Sequence, residues 1–281
     1  MPIRALNRIP RPLYAPLRKV RTAALWMAEP LDFVHRRITG RGHLPPLWLR
    51  RHVGTIASFE RSSGEMSVAL SFLGLVGESD TVLDIGCGCG LMAYEFQRAL
   101  GPEGRYLGFD VHAPAVRWAQ RHFASDRRLR FEIAEISTPY SEGFSGNATA
   151  YRFPLADAEA DFVLAKSVFT HLLEPESRHY LSEVRRVLKP GGRALLTVLV
   201  LDPPSRSSPA PLPAVYQFPF GGPHFRWMVD AKPTGVVGVD REYFMSMIAD
   251  AGLRTRATYD GSWRGLRQAP NPQDLVVVER A

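Results

Sequence analysis

Three glycines and both cysteines of the chain fall in five consecutive positions, Gly86-Cys87-Gly88-Cys89-Gly90. An apolar run with Asp84 inside it precedes them, and an amphipathic run follows. A strand, a glycine-rich turn and a helix in that order present backbone amides to a ligand at the carboxyl edge of a sheet. Such a turn needs glycine, because a Cβ would hold the ligand off the backbone and disfavour positive φ. Thiol and metal chemistry fail on number and spacing. Two thiolates cannot close a tetrahedral zinc site, and one intervening residue misses the Cys-x-x-Cys redox spacing. A dinucleotide loop wants glycine where Leu91 stands. That leaves a cradle for another ligand, with Cys87 and Cys89 as small packing residues.

Other residues qualify for chemistry by type and place. Asp110 closes the next apolar run, and a carboxylate there can accept from two vicinal hydroxyls at once or cap the following helix. His171 follows the fourth apolar run, and an imidazole titrating near neutrality suits a general base; its alternative is a histidine satisfied by a backbone carbonyl. Glu174, three residues on, can orient His171, help hold a divalent ion such as Mg2+, or cap the helix that Pro175 opens. His179, inside that helix, reads as structural. Tyr216, Phe218, Phe220, His224, Trp227 and Trp263 offer aromatic planes that cover a substrate or form a satellite core. Arg226 and Arg264 suit an acidic acceptor or plain solvation.

Alternating elements must carry these residues. Strands are expected at 81–85, 105–110, 129–135, 161–165 and 193–201. Between them lie helices burying Met92, Phe96 and Ala99, then Val116, Ala119 and Phe123 behind Pro114, then Leu181, Val184 and Leu188 behind Pro175. The turn Lys189-Pro190-Gly191-Gly192 ends the last of them. Residues 201–240 interrupt the rhythm as an insertion placed to cover a pocket. A helix over 241–250 and strands at 254–260 and 274–280 close the chain. The alternation implies an α/β fold with a doubly wound parallel sheet.

The net charge of +7 is unevenly spread. Residues 1–52 carry eleven Lys and Arg against Glu29 and Asp32, a net +9, whereas residues 53–281 come to −2. The first stretch reads as a basic helical extension and the second as the main domain. Leu17, Val20, Ala24, Met27, Leu31, Val34 and Ile38 share one helical face, and Pro30 predicts two short helices meeting there. That apolar face is expected to pack over the main domain with the basic face in solvent. The alternatives are a membrane-surface contact, attraction of an anionic substrate, or a homodimer contact. No apolar run is long enough to span a bilayer, no secretory signal is visible, and two close cysteines build no disulfide framework, so the expected compartment is a reducing cytoplasm.

"VLDIGCGCG", "LGFDVHAPAV", "FPLADAEADFVLAKSVFTHL" and "LSEVRRVLKPGG" resemble, in order, the motifs of the class I S-adenosylmethionine-dependent methyltransferases over about residues 52–281. "LPPLWLR", "SVFTHL", "HYLSEV" and "GSW…QDLVVV" resemble a bacterial small-molecule subgroup of that family. The resemblance implies a Rossmann-like, mostly parallel seven-stranded sheet with an antiparallel last strand. It implies S-adenosylmethionine as cofactor, with Gly86, Cys87, Gly88 and Gly90 in the turn that binds it and Asp84 under its methionine end, where a structural strand-end Asp is the alternative. Asp110 and Val111 would meet the ribose, and Glu135 and Ile136 the adenine, where the family usually has Asp. Lys166 and Ser167 would line the cofactor, His171 would stand where the acceptor approaches the methyl group, and Tyr216, Phe220, His224, Trp227 and Trp263 would surround the acceptor. The expected reaction is methylation of a small molecule at a hydroxyl oxygen, with nitrogen or carbon as alternatives. An NAD-dependent oxidoreductase conflicts with Leu91. A non-catalytic binder conflicts with His171 and the aromatic insertion. Nucleic acid is not expected, because "AKSVFTHL" stands where base-methylating enzymes carry Asn/Asp-Pro-Pro-aromatic.

Overall fold

The computed structural model describes residues 11–50, 59–139, 141, 143–202, 216–266 and 268–281. Its strands are β1 (Thr81–Ile85), β2 (Arg105–Asp110), β3 (Leu129–Ile133), β4 (Ala160–Ala165), β5 (Leu188–Val198), β6 (Val200–Leu201), β7 (Phe220–Gly221), β8 (Phe225–Trp227), β9 (Val237–Asp240), β10 (Leu253–Tyr259) and β11 (Asp274–Arg280). Its α-helices are α1 (Arg11–Ile38), α2 (Leu47–Arg50), α3 (Phe59–Phe72), α4 (Ala93–Ala99), α5 (Ala113–His122), α6 (Glu174–Val187) and α7 (Arg241–Asp250). The central sheet runs β10-β11-β5-β4-β1-β2-β3. β1 pairs in parallel with β2 and β4, and β11 runs antiparallel to both β5 and β10. The expected Rossmann-like, seven-stranded, mostly parallel sheet is therefore present. Its strand order reverses between β1 and β4, which opens a crevice at their carboxyl ends.

β1 and β4 are short apolar runs because both their faces are covered. Leu83, Ile85 and Val163 pack toward Leu181 and Val184 of α6 and Phe244, Met247 and Ile248 of α7. Val82, Phe162 and Leu164 face the other way, toward Met66 of α3, Phe96 of α4 and Val116 and Ala119 of α5. Each fully buried side chain of this size contributes about 2 kcal/mol, which fixes the strand register to the alternation of the residues.

Two sequence expectations about β5 change. Residues 189–192 belong to the strand instead of forming a separate turn, with Gly191 at φ +76°. The run to Leu201 is also not one strand. After Val198 the chain leaves the central sheet, and Val200–Leu201 pairs with β9 in a second sheet ordered β6-β9-β8-β7. The cause is the buried carboxylate of Asp274, which takes the Val200 amide at 2.8 Å and the Gly261 amide at 2.7 Å, while Arg264 donates to the Val200 carbonyl.

The extension also departs from expectation. α1 is one helix through Pro30, not two. From Ala24 onward its apolar stripe faces solvent, and its polar side is the docked one: Arg36 donates to Asp32 at 2.6 Å, to Glu29 at 2.7 Å and to the Leu44 carbonyl at 2.8 Å. Asp32 also accepts from Arg50, and Glu29 accepts from the Leu47 amide at 2.6 Å. Burial alone would raise the Asp32 pKa, but the hydrogen bonds and charges of Arg50 and Arg36 hold it below the usual carboxylate value. Buried ions of this kind must stay paired, so the ion cluster sets the rotation of the helix. Trp26 stacks on Trp48 at 4.8 Å, and Trp48 packs against a cluster holding Leu44, Leu49, Phe59, Cys89, Leu91 and Ala115.

Candidate active site

The glycine turn closes against β2: the amides of Gly86 and Cys87 both donate to the Phe109 carbonyl, at 2.8 and 3.1 Å. Gly86, Gly88 and Gly90 have φ of +72°, +56° and +76°. A Cβ on Gly86 would lie 2.7 Å from Val168, and one on Gly90 would lie 2.7 Å from Phe123. A Cβ on Gly88 would meet nothing within 4 Å, so the middle of the turn borders open space. Asp110 receives the Gly88 amide on Oδ2 at 2.8 Å and the His112 amide on Oδ1 at 2.7 Å. Each oxygen retains a lone pair, so a carboxylate so aimed can still accept from a pair of hydroxyls. Cys87 and Cys89 are buried free thiols whose pKa values burial raises, that of Cys89 to about 12. They pack and do not react.

Asp84 is buried in β1 and accepts one hydrogen bond, from the Tyr106 hydroxyl at 2.7 Å. Burial raises its pKa to about 7, with the Tyr106 bond and Lys166 pulling down and the Asp110 charge pushing up. The Lys166 pKa is lowered by burial against the opposing pull of Asp84 and Glu65. After Lys166 the chain enters Ser167 at φ +58°, a strained conformation for a residue with a side chain. Three hydrogen bonds hold it there. The Ser167 amide donates to Thr197 Oγ1 at 2.7 Å, and the hydroxyls of Ser167 and Thr197 both donate to Gln273 Oε1, at 3.1 and 2.5 Å. Tyr106, Thr197 and Gln273 escaped the sequence reading, because each is an ordinary strand or loop residue until the strand order brings it to this edge.

His171 ends a 3-10 turn, Phe169–His171, directly after β4. Its Nδ1 lies 3.0 Å from the Thr234 carbonyl. A carbonyl only accepts, so Nδ1 carries the proton and the neutral ring has its lone pair on Nε2. Burial lowers the His171 pKa and Lys232 pushes the same way, against the carbonyls of Thr234 and Gly235. The histidine is therefore neutral at neutral pH. Glu174 is held by the Tyr243 hydroxyl and by Arg178 at 3.0 Å, and the Tyr243 bond leads the lowering of its pKa. What orients His171 in the structure is the Thr234 carbonyl. His179 meets the Tyr151 carbonyl at 2.7 Å, a structural contact.

The remaining expected residues separate. Val111 is half-buried against the core, Ile136 is buried and bridges to Gly146, and the Glu135 side chain is exposed. Trp263 and Phe218 are core residues of a satellite cluster with Leu199 and Met228, and Tyr216 meets Trp263 edge-on at 5.7 Å. His224 stacks flat on Tyr243 at 3.8 Å. Phe220 is exposed on the β7–β8 hairpin opposite half-buried Trp227, and Arg226 is exposed beside them. Arg264 is engaged by Asp274 at 3.1 Å and by Asp202, so it is structural and not poised for an acidic acceptor. Among the described residues no three His, Cys, Asp or Glu side chains group to hold a metal ion, so the divalent ion considered at Glu174 has no assembled ligand set there. No described helix is long and apolar enough to cross a membrane.

A methyltransferase-domain family profile matches residues 82–192. An arsenite methyltransferase from Halobacterium salinarum is 27% identical over 127 residues, covering 44% of this chain and 28% of the relative. A ubiquinone biosynthesis O-methyltransferase from Cereibacter sphaeroides is 32% identical over 149 residues, covering 53% of this chain and 50% of the relative. The chain thus spans half or less of these curated relatives. Among solved structures, the geranyl diphosphate C-methyltransferase of Streptomyces coelicolor superimposes with a TM-score of 0.53 at 17% identity, covering 80% of this chain and 82% of that one, a likeness of fold.

Proposed function

Residues 82–192 belong to the class I S-adenosylmethionine-dependent methyltransferases, and from that premise we propose that the chain methylates a hydroxyl oxygen of a small molecule. The observation that carries the proposal is His171: a half-buried, neutral imidazole just after β4, its proton committed to the Thr234 carbonyl through Nδ1. Its Nε2 is the base for a hydroxyl proton. Family membership removes the oxidoreductase reading. Arsenic, oxygen and carbon are the acceptors named for the three relatives, so the profile alone does not choose among them.

The residues divide the work. The glycine turn, with open space at Gly88, takes the cofactor's backbone-facing side, and Asp110 accepts from its ribose. Asp84 and the Lys166–Ser167 segment bound its methionine end, and Ile136 lies toward the adenine with Glu135 at the rim. When bound, S-adenosylmethionine supplies a methyl group on a sulfonium, whose C–S bond breaks toward sulfur as the new bond forms. His171 holds the acceptor hydroxyl in line and takes its proton; geometric restraint of this kind supplies much of the rate in a bimolecular displacement. Glu174 fixes the start of α6 through Tyr243 and Arg178 and so supports the loop that carries His171. Tyr216, Phe220 and Trp227 are the aromatic surfaces offered to a sugar or aryl acceptor, with Trp263 and His224 behind them as support. A small acceptor is favoured over nucleic acid by "AKSVFTHL" after β4, and the two free thiols suit the cytoplasm.

The test is transfer of an isotopically labelled methyl group to panels of sugars, phenols and amines, with and without a chelator, the product being identified by NMR. Label on a hydroxyl oxygen, unaffected by chelation and reduced in His171→Gln, is the expected result. Label on nitrogen or carbon overturns the assignment of oxygen.

A further inference from the structure

α1 has two faces with opposite fates. On one, Glu29, Asp32 and buried Arg36 form the ion cluster that docks the helix on α2. On the other, Met27, Leu31, Val34 and Ile38 follow one another at spacings of four, three and four residues and are 76%, 76%, 53% and 80% exposed. Trp26 and Phe33 lie instead beside the docked face, Trp26 stacked on Trp48 and Phe33 under Arg36 and Arg37. Single exposed apolar residues are ordinary, but a contiguous stripe of large ones marks an interaction surface. The stripe cannot turn inward, because rotating the helix would pull Arg36 from the Leu44 carbonyl, Asp32 from Arg50 and Glu29 from the Leu47 amide.

The charge of the segment that carries the stripe identifies its partner. Residues 1–52 carry a net +9, and the two acidic residues in that stretch, Glu29 and Asp32, are already paired with Arg36 and Arg50. A second copy would bring the same positive charge against itself, whereas an anionic surface is attracted to it. We propose that α1 lies in the plane of a membrane surface containing anionic lipids, with Met27, Leu31, Val34 and Ile38 entering the acyl boundary and the flanking basic residues meeting the headgroups. The 28-residue helix is about 42 Å long, and its mixed polarity suits it to lie on a bilayer, not to cross one. The proposal stands apart from the identity of the methyl acceptor, and its readout is sedimentation.

The experiment is co-sedimentation of the full chain with phosphatidylcholine vesicles, with and without phosphatidylglycerol at about a third of the lipid. Binding is expected on the anionic vesicles, weaker on phosphatidylcholine alone and reduced by salt. The variant L31E/V34E, whose substitutions lie at exposed positions, should keep its circular dichroism and thermal midpoint and bind at least about tenfold more weakly. Equal sedimentation of the variant and the native chain overturns the proposal. So does a failure to bind vesicles combined with a light-scattering dimer that the variant dissolves, since the stripe would then be a contact between copies.

Discussion

Cofactor affinity should rise with pH, and Asp84 is the reason. Its carboxyl is buried, accepts one hydrogen bond from Tyr106 and titrates near 7 in the unliganded chain. In the proposed site it faces the methionine end of the cofactor, which carries an ammonium and a sulfonium, so binding selects the ionised form and releases a proton. Affinity then follows the ionised fraction: roughly tenfold weaker near pH 6 than near pH 8, and flat above. The stability of the unliganded chain moves the other way. The folded pKa lies above the unfolded value, so the stability contributed by protonated Asp84 is present below about pH 4 and lost as the pH rises through about 7. Calorimetry in two buffers of different ionisation enthalpy reads the affinity and the proton together, with about half a proton released at pH 7. Asp84→Asn keeps an acceptor for Tyr106 and removes the titration, so it should bind more weakly and without the pH slope. A flat affinity in the native chain, or a slope that survives in Asp84→Asn, refutes the reasoning.

Asp110→Ala removes the acceptor for the Gly88 and His112 amides as well as the proposed ribose contact. It should abolish cofactor binding by calorimetry, and an intact affinity removes Asp110 from the site. His171→Gln should leave that affinity in place and lower kcat by about a hundredfold or more, and the native kcat should fall on the acid side below the ordinary histidine range because burial lowers the His171 pKa. Unchanged turnover with the true acceptor rejects the general base. Gly90→Ala combines φ +76° with a Cβ 2.7 Å from the Phe123 ring, so it should cost about 2 kcal/mol in urea unfolding.

The elements that carry the proposed cofactor residues were legible because their signals are local. Asp84, the glycines and Asp110 lie within short strand–turn–helix units, and periodicity placed β1, β2, β4 and their helices without knowledge of the sheet order. The acceptor side depends on contacts between distant parts of the chain. Thr234 orients His171 across 63 residues, and Gln273 reaches Ser167 across 106. Neither pairing leaves a periodic trace. α1 was misread for a related reason: apolar spacing locates a stripe but does not say what covers it, and a buried ion cluster decided which side docked. Trp263 and Phe218 followed the plainer of their two readings, a satellite core, because the β5–β6 bend brings Leu199 and Met228 against them.

The reversal of strand order between β1 and β4 has an evolutionary consequence. In the proposed site, one wall of the crevice comes from residues near 84–111 and the other from His171 onward, with the β7–β8 hairpin following later in the chain. The stretch shared with the methyltransferase profile ends at residue 192, before most of that second wall is built. In the proposed function, substitutions and insertions after this point can alter which molecule receives the methyl group while the proposed cradle for its donor stays intact. The two halves of the proposed reaction can therefore diverge at different speeds.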